Sequence, residues 1–138
     1  MVFAILNRGQ NGDCFLDIPL EIRVALFLKE FKEIVTTGRG LDIIDRRENI
    51  QSLLELGFTK KHCREEILSL SVENYYNGPK PDKDRPGMIW EFGKKIDGDE
   101  IYIKLKIAEV GAEKLAKCIS FHKANLPLSF PLEGKKIR

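Results

Sequence analysis

A histidine, a tyrosine and several lysines fall at alternating positions in the second half of the chain, the spacing that puts side chains on one face of a sheet. Residues 100–108 alternate apolar with polar, which predicts a strand with Ile101, Ile103, Leu105 and Ile107 on one face and Tyr102, Lys104 and Lys106 on the other. Residues 115–122 form the expected return strand. Matching Ile119 and Phe121 to the core side predicts Cys118, Ser120 and His122 on the face of Tyr102 and Lys104. In residues 88–95, Trp90 and Phe92 are expected inward, which adds Glu91 and Lys95 to the open face.

Such a face has the groups needed to cut RNA. RNA carries its own nucleophile, the 2′-hydroxyl; cleavage needs a base for that proton, cations for the phosphorane charge and an acid for the departing 5′-oxygen. Histidine titrates near neutrality and serves in either direction, so His122 is the candidate acid or base. Lys104 is the candidate phosphate stabiliser, and Tyr102 an orienting group, a proton donor or a platform for a base. No metal or other cofactor enters this scheme. Taken singly, each residue has a plainer reading: a surface histidine, a half-buried strand tyrosine, a solvated lysine face. Their alignment carries the functional one.

The elements that must position this face are legible from period and punctuation. Val24, Phe27, Leu28, Phe31, Ile34 and Val35 recur at helical spacing between Pro19 and Thr37, with Gly38 as the stop. Asp45 is the expected cap of a second helix with Ile50, Leu53 and Leu54 on one face, ending at Gly57. Thr59 opens a third, with Cys63, Ile67 and Leu70 together, and Ser71 caps a short turn through Tyr75. Pro79, Pro81 and Pro86 among the charges of residues 77–87 predict a long loop, which offers Asn77 and Lys80 to a substrate. Asp97-Gly98 and residues 111–114 supply turns, giving an antiparallel meander. The expected class is α+β, with N-terminal helices packed on the small sheet.

The 138 residues, 43% hydrophobic, suit a single domain. Whether residues 1–17 form an arm outside it stays open, and 132–138 read as a basic tail. With 23 basic against 21 acidic residues the net charge is +2, so a basic site must be local. Cys14, Cys63 and Cys118 are odd in number and lack a C-x-x-C pair, arguing against a disulfide framework or a zinc site. His62-Cys63 has no matching ligand pair. The apolar opening of residues 1–6 does not read as a signal peptide, and no apolar run reaches the ~20 residues of a membrane helix. A cytoplasmic protein with no membrane association is expected.

The ordered set Trp90-Glu91-Phe92-Gly93-Lys94, Glu100-Ile101-Tyr102-Ile103-Lys104 and Cys118-Ile119-Ser120-Phe121-His122-Lys123-Ala124 is similar to the C-terminal half of MqsR-family toxins. The run from Leu70 to Pro79 resembles the same family, so the resemblance covers roughly residues 50–131. It implies a RelE-like fold, cleavage of single-stranded messenger RNA and neutralisation by a cognate antitoxin. That partner often carries a helix-turn-helix domain, so DNA would be met only through the complex. By this resemblance Tyr102 and Lys104 match family positions; Asn77 stands where the best-known branch has an active lysine, Glu91 where it has glutamine and His122 where it has lysine. Catalysis is thereby expected from His122, Tyr102, Lys104 and Glu91, with Lys95, Lys80, Lys106 and Asn77 on the substrate. The rival expectation, motivated by Asn77, is an inactive relative that only binds protein or nucleic acid.

Overall fold

A computed structural model describes residues 17–135, and the structure is α+β: three helices and a five-stranded mixed sheet. The order along the chain is α1 (Leu20–Thr37), β1 (Leu41–Ile43), α2 (Arg47–Leu56), α3 (Lys60–Leu68), a 3₁₀ turn (Val72–Asn74), β2 (Tyr75–Pro81), β3 (Met88–Ile96), β4 (Asp99–Val110) and β5 (Glu113–Lys123). The sheet order is β1-β5-β4-β3-β2. The meander expected from the sequence is present as β3-β4-β5. It is extended by two strands that were not anticipated: β1, parallel to β5, and β2, antiparallel to β3.

α1 buries Val24, Phe27, Leu28, Phe31 and Val35, the i, i+3, i+4, i+7 stripe of an amphipathic helix. Phe27 stacks on Trp90 with ring centroids 4.9 Å apart, and Trp90 and Phe92 lie in the core as expected. Each such aromatic contributes ~2–3 kcal/mol of apolar burial. Ile101, Ile103, Leu105 and Phe121 complete the helix-covered side of the sheet. α3 adds Cys63 and Ile67 behind its Thr59 cap. There His62 Nδ1 accepts the Thr59 N–H at 3.0 Å, a capping role.

Four local expectations are corrected. Residues 75–81 are a strand, and the loop shrinks to 82–87; prolines are tolerated there because β2 is an edge strand. Gly78 has φ +107°, and a Cβ there would stand 2.7 Å from the Ile89 carbonyl oxygen, so this close approach requires glycine. Arg46, not Asp45, occupies the N-cap of α2; Asp45 instead pairs with Lys60 at 3.2 Å. The inward face of α2 is Asn49, Ser52 and Leu53, while Ile50 and Leu54 are exposed. The reason is that α2 lies against the edge of β5 and stands in for a strand. Asn49 accepts the Phe121 N–H at 2.9 Å and donates to the Ile119 and Ile44 carbonyls, and Ser52 Oγ accepts the Lys123 N–H at 3.2 Å. Fourth, Cys118 points into the core, opposite Leu105, because a bulge at Ile119 shifts the β4-β5 register between Lys104 and Leu105.

The chain after β5 crosses the open face. Ala124 N–H donates to the Glu100 carbonyl and Leu128 N–H to the Glu100 carboxylate, while Leu132 reaches the core. Residues 124–130 thus form a strap. No helix among the described residues is long and apolar enough to cross a membrane. The N-terminal arm and the last three residues of the basic tail lie outside the described residues, as does Cys14.

Candidate functional site

On the face of the sheet turned away from α1, cross-strand pairing arranges the candidate residues in rows. Gly93, Tyr102 and His122 form one; Asn77, Glu91, Lys104 and Ser120 form the next; Ile89, Lys106 and Lys117 form a third. Successive rows are two residues apart along β3 and β4, ~7 Å. The bulge at Ile119 leaves Ser120 and His122 on this face, where the alternation pattern put them, and turns Cys118 away.

The centre of the first two rows is a hydrogen-bonded cluster around Glu91, which is only 4% exposed. Its Oε1 accepts from Asn77 Nδ2 at 3.0 Å and meets Lys80 Nζ at 2.9 Å, and its Oε2 accepts the Tyr102 hydroxyl proton. Burial would raise the Glu91 pKa, but the bonds from Tyr102, Lys80 and Asn77 and the Lys80 charge outweigh it, leaving the group below its ordinary value. Tyr102 moves the other way: burial first, then the hydrogen bond and charge of Glu91, push the phenol far up. Tyr102 therefore holds its proton at every physiological pH and cannot serve as a base.

His122 lies beside this cluster, its ring centroid 5.4 Å from that of Tyr102. Nδ1 is 2.8 Å from the Lys123 carbonyl oxygen, which only accepts, so Nδ1 carries a proton, and Nε2 is the nitrogen through which the ring can take or give another. Nε2 has no hydrogen-bond partner among the described residues. Tyr76 stands edge-on to Tyr102 at 6.4 Å, and with Ala124, Asn125, Leu126 and Leu128 these residues line a small, open cavity of about 190 Å³.

Adjoining it is a wider cleft of about 970 Å³, floored by Lys104, Lys106, Ile89 and Ile119 and walled by loop 82–87 and by Ile44 and Arg46. Lys80, Lys106 and Lys117 on its lining are paired, with Glu91, Asp82 and Asp42. Arg46, Lys83, Arg85 and Lys104 also line it and make no ion pair among the described residues. Asp84 and Glu109 on the same lining likewise make no ion pair among the described residues, so four unpaired cations face two unpaired carboxylates and the cleft keeps a net positive charge, the local basic site that the near-neutral whole-chain charge required.

Of the expected residues, Tyr102, Glu91, Asn77 and His122 come together, with Lys104 in the row of Glu91 and Asn77 and Lys80 bridging the two cavities. Lys106 is spent on Asp82 at 2.7 Å, and Lys95 is exposed opposite Glu100, beyond the strap. Asn77 orients Glu91. Sequence reasoning missed Arg46, Tyr76, Asn125 and Leu126. Arg46 reaches the cleft because β1 docks beside β5, a pairing no local pattern announces. Cys63 and Cys118 are buried free thiols. The hydrogen bond from Cys63, then burial, hold the Cys118 thiol well above its ordinary pKa, so it is inert. Among the described residues no three His, Cys, Asp or Glu side chains are grouped as metal ligands.

No family model, no curated protein and no solved structure matches the chain.

Proposed function

We propose that the chain is an endoribonuclease that cuts single-stranded messenger RNA by attack of the 2′-hydroxyl, and that it acts as the toxin of a toxin-antitoxin pair. The observation that carries the catalytic part is His122. It is an imidazole with its proton held on Nδ1 and Nε2 unpartnered, set beside the Tyr102-Glu91 cluster and one row from Lys104 at the head of a cationic cleft.

In this reading His122 Nε2 takes the 2′-hydroxyl proton, the 2′-oxygen bonds to phosphorus and the bond from phosphorus to the 5′-oxygen breaks. Tyr102 turns its hydroxyl, donated to Glu91 Oε2 at rest, to the leaving oxygen and gives it the proton as the bond breaks. Lys104 and Arg46 hold the phosphorane charge. Glu91 aims the Tyr102 hydroxyl, and its own charge is offset by Lys80. The products are a 2′,3′-cyclic phosphate and a 5′-hydroxyl. The resemblance of residues 50–131 to MqsR-family toxins supports the biological role and a helix-turn-helix antitoxin as partner.

The test is purified protein on a single-stranded RNA with chelator present. Cyclic-phosphate ends, lost in His122→Ala, support the reading; cleavage abolished by chelation overturns it. One observation favours a non-catalytic binding module: every oxygen of Glu91 is already satisfied, as in a structural polar core. That reading predicts harmless induced expression in a bacterial host, whereas a toxin arrests growth and is relieved by its antitoxin.

A further inference from the structure

We infer that the small cavity beside His122 is a pocket for one nucleobase of the RNA, and that strap residues Asn125 and Leu126 determine which base enters it. This rests on the reading of the open face as an RNA-cutting site and adds its specificity.

Three observations converge. The cavity is walled on one side by aromatic rings, with Tyr76 edge-on to Tyr102 and His122 tilted 44° to Tyr102, and on the other by Leu126 and Leu128. Unstacked bases are recognised by aromatic and apolar surfaces of this kind. Its volume of about 190 Å³ is below the roughly 300–1,000 Å³ of sites for larger ligands, so it holds one planar ring system; the adjoining cleft has the space for the rest of the strand. Leu126 is 76% exposed while lining the cavity, a large apolar side chain left in water where a flat apolar ligand would cover it.

The wall is also built in advance. The strap is pinned at Glu100 by Ala124 N–H at 2.9 Å and Leu128 N–H at 3.1 Å. Beneath it Gly93 leaves the space: a Cβ there would come within 2.4 Å of Leu128 Cδ1. A wall held at both ends limits how far the pocket can widen, and so favours one size of base over the other. Asn125 is an exposed amide on the lining with no hydrogen bond among the described residues, offering both donors and an acceptor to a base edge. Phosphate-binding Lys104 lies one row, ~7 Å, from the Tyr102-His122 row. Because His122, which takes the 2′-hydroxyl proton in this reading, itself lines the pocket, a base seated there belongs to the nucleotide that supplies that hydroxyl, immediately 5′ of the cleaved bond.

The experiment titrates the full chain, followed by backbone amide NMR, with each of the four ribonucleoside 3′-monophosphates and with inorganic phosphate. It is paired with sequencing of cleavage sites on RNA containing every triplet. The expected result is that one or two nucleotides bind at least tenfold more tightly than inorganic phosphate and shift the amides of residues 125–128. Leu126→Ala and Asn125→Ala should each weaken them by roughly 3- to 10-fold, the scale of one lost apolar or hydrogen-bonding contact, without changing phosphate affinity. Both variants should keep cutting while losing preference at the base 5′ of the break. Because both residues are exposed, their truncation leaves the fold intact. All four nucleotides binding no better than phosphate, or an unchanged cleavage map in both variants, overturns the pocket and leaves the nuclease reading standing. Nucleotide binding at the strap without any RNA cleavage overturns the nuclease reading and leaves the pocket standing.

Discussion

The open face of the sheet buries charge in two places, and they are built differently. At Lys106 the ammonium meets Asp82 Oδ2 at 2.7 Å, and Asp82 also accepts the Asp84 N–H. The aliphatic end of Lys106 fills the space over Gly87, where a Cβ would stand 2.9 Å from Cε. This cluster is closed: two charges answer each other and tether loop 82–87. At Glu91 one carboxylate collects a phenol, an amide and an ammonium from three positions, and the ring next to it, His122, keeps a nitrogen with no hydrogen-bond partner among the described residues. Burying charge is costly in both places unless it is paired. The difference is that the first arrangement uses up its groups on the fold, whereas the second leaves reactive capacity beside a cavity.

The sharpest way to break this contrast is His122→Ala, which should lower cleavage by about 10²–10⁴-fold, the usual worth of a general base, with a folded far-UV spectrum. Loss of less than about threefold, against that scale, would remove His122 from the chemistry. Next, Lys104→Ala should cost about 10²-fold in kcat measured on a short RNA, since a cation aimed at developing charge acts mainly in the transition state. Lys106→Met should do the reverse, lowering Tm by about 2–5 °C as the partly exposed Asp82 carboxylate loses its partner while kcat stays within about threefold. A large kcat loss there would show that both clusters belong to the site.

The smallest effect is also the most discriminating, because the clusters titrate in opposite directions. The Lys106 side chain, then the Asp84 N–H, hold Asp82 at about 2. Its contribution is therefore present above the ordinary aspartate value of about 3.9 and is lost as pH falls through about 2. Tyr102 is raised, so its contribution is present below the ordinary tyrosine value of about 10 and is lost as pH rises beyond it. Urea melts should accordingly show the advantage of wild type over Tyr102→Phe shrinking above about pH 10, and that over Asp82→Asn shrinking only in acid. An advantage over Tyr102→Phe that stays level up to pH 11 would break the link between Tyr102 and Glu91.

Much of this was readable from residue order. The stripe from Val24 to Val35 specified α1, and the period-two runs specified β3, β4 and β5, because one-sided burial forces those spacings. The same alternation put Tyr102, Glu91 and His122 on one face. It misassigned Cys118, because a single extra residue at Ile119 inverts every side chain before it along β5 and leaves no mark in composition. It misread α2 for a related reason: apolar spacing says which side of a helix prefers protein only when the protein it meets is apolar, and α2 meets a strand edge that wants hydrogen bonds.

What the chain determined by itself, then, is its class, its core and the types of group on its open face, all of which follow from local periodicity. Tertiary structure alone decided which of those groups are spent and which are free. Lys106 and Lys104 are indistinguishable two residues apart in sequence, yet loop 82–87 brings a carboxylate to one and not to the other. Arg46 and the strap reach the site from 58 positions before Lys104 and from beyond the last strand. Contacts that distant are set by how layers and edges close on one another, and no window of sequence contains them.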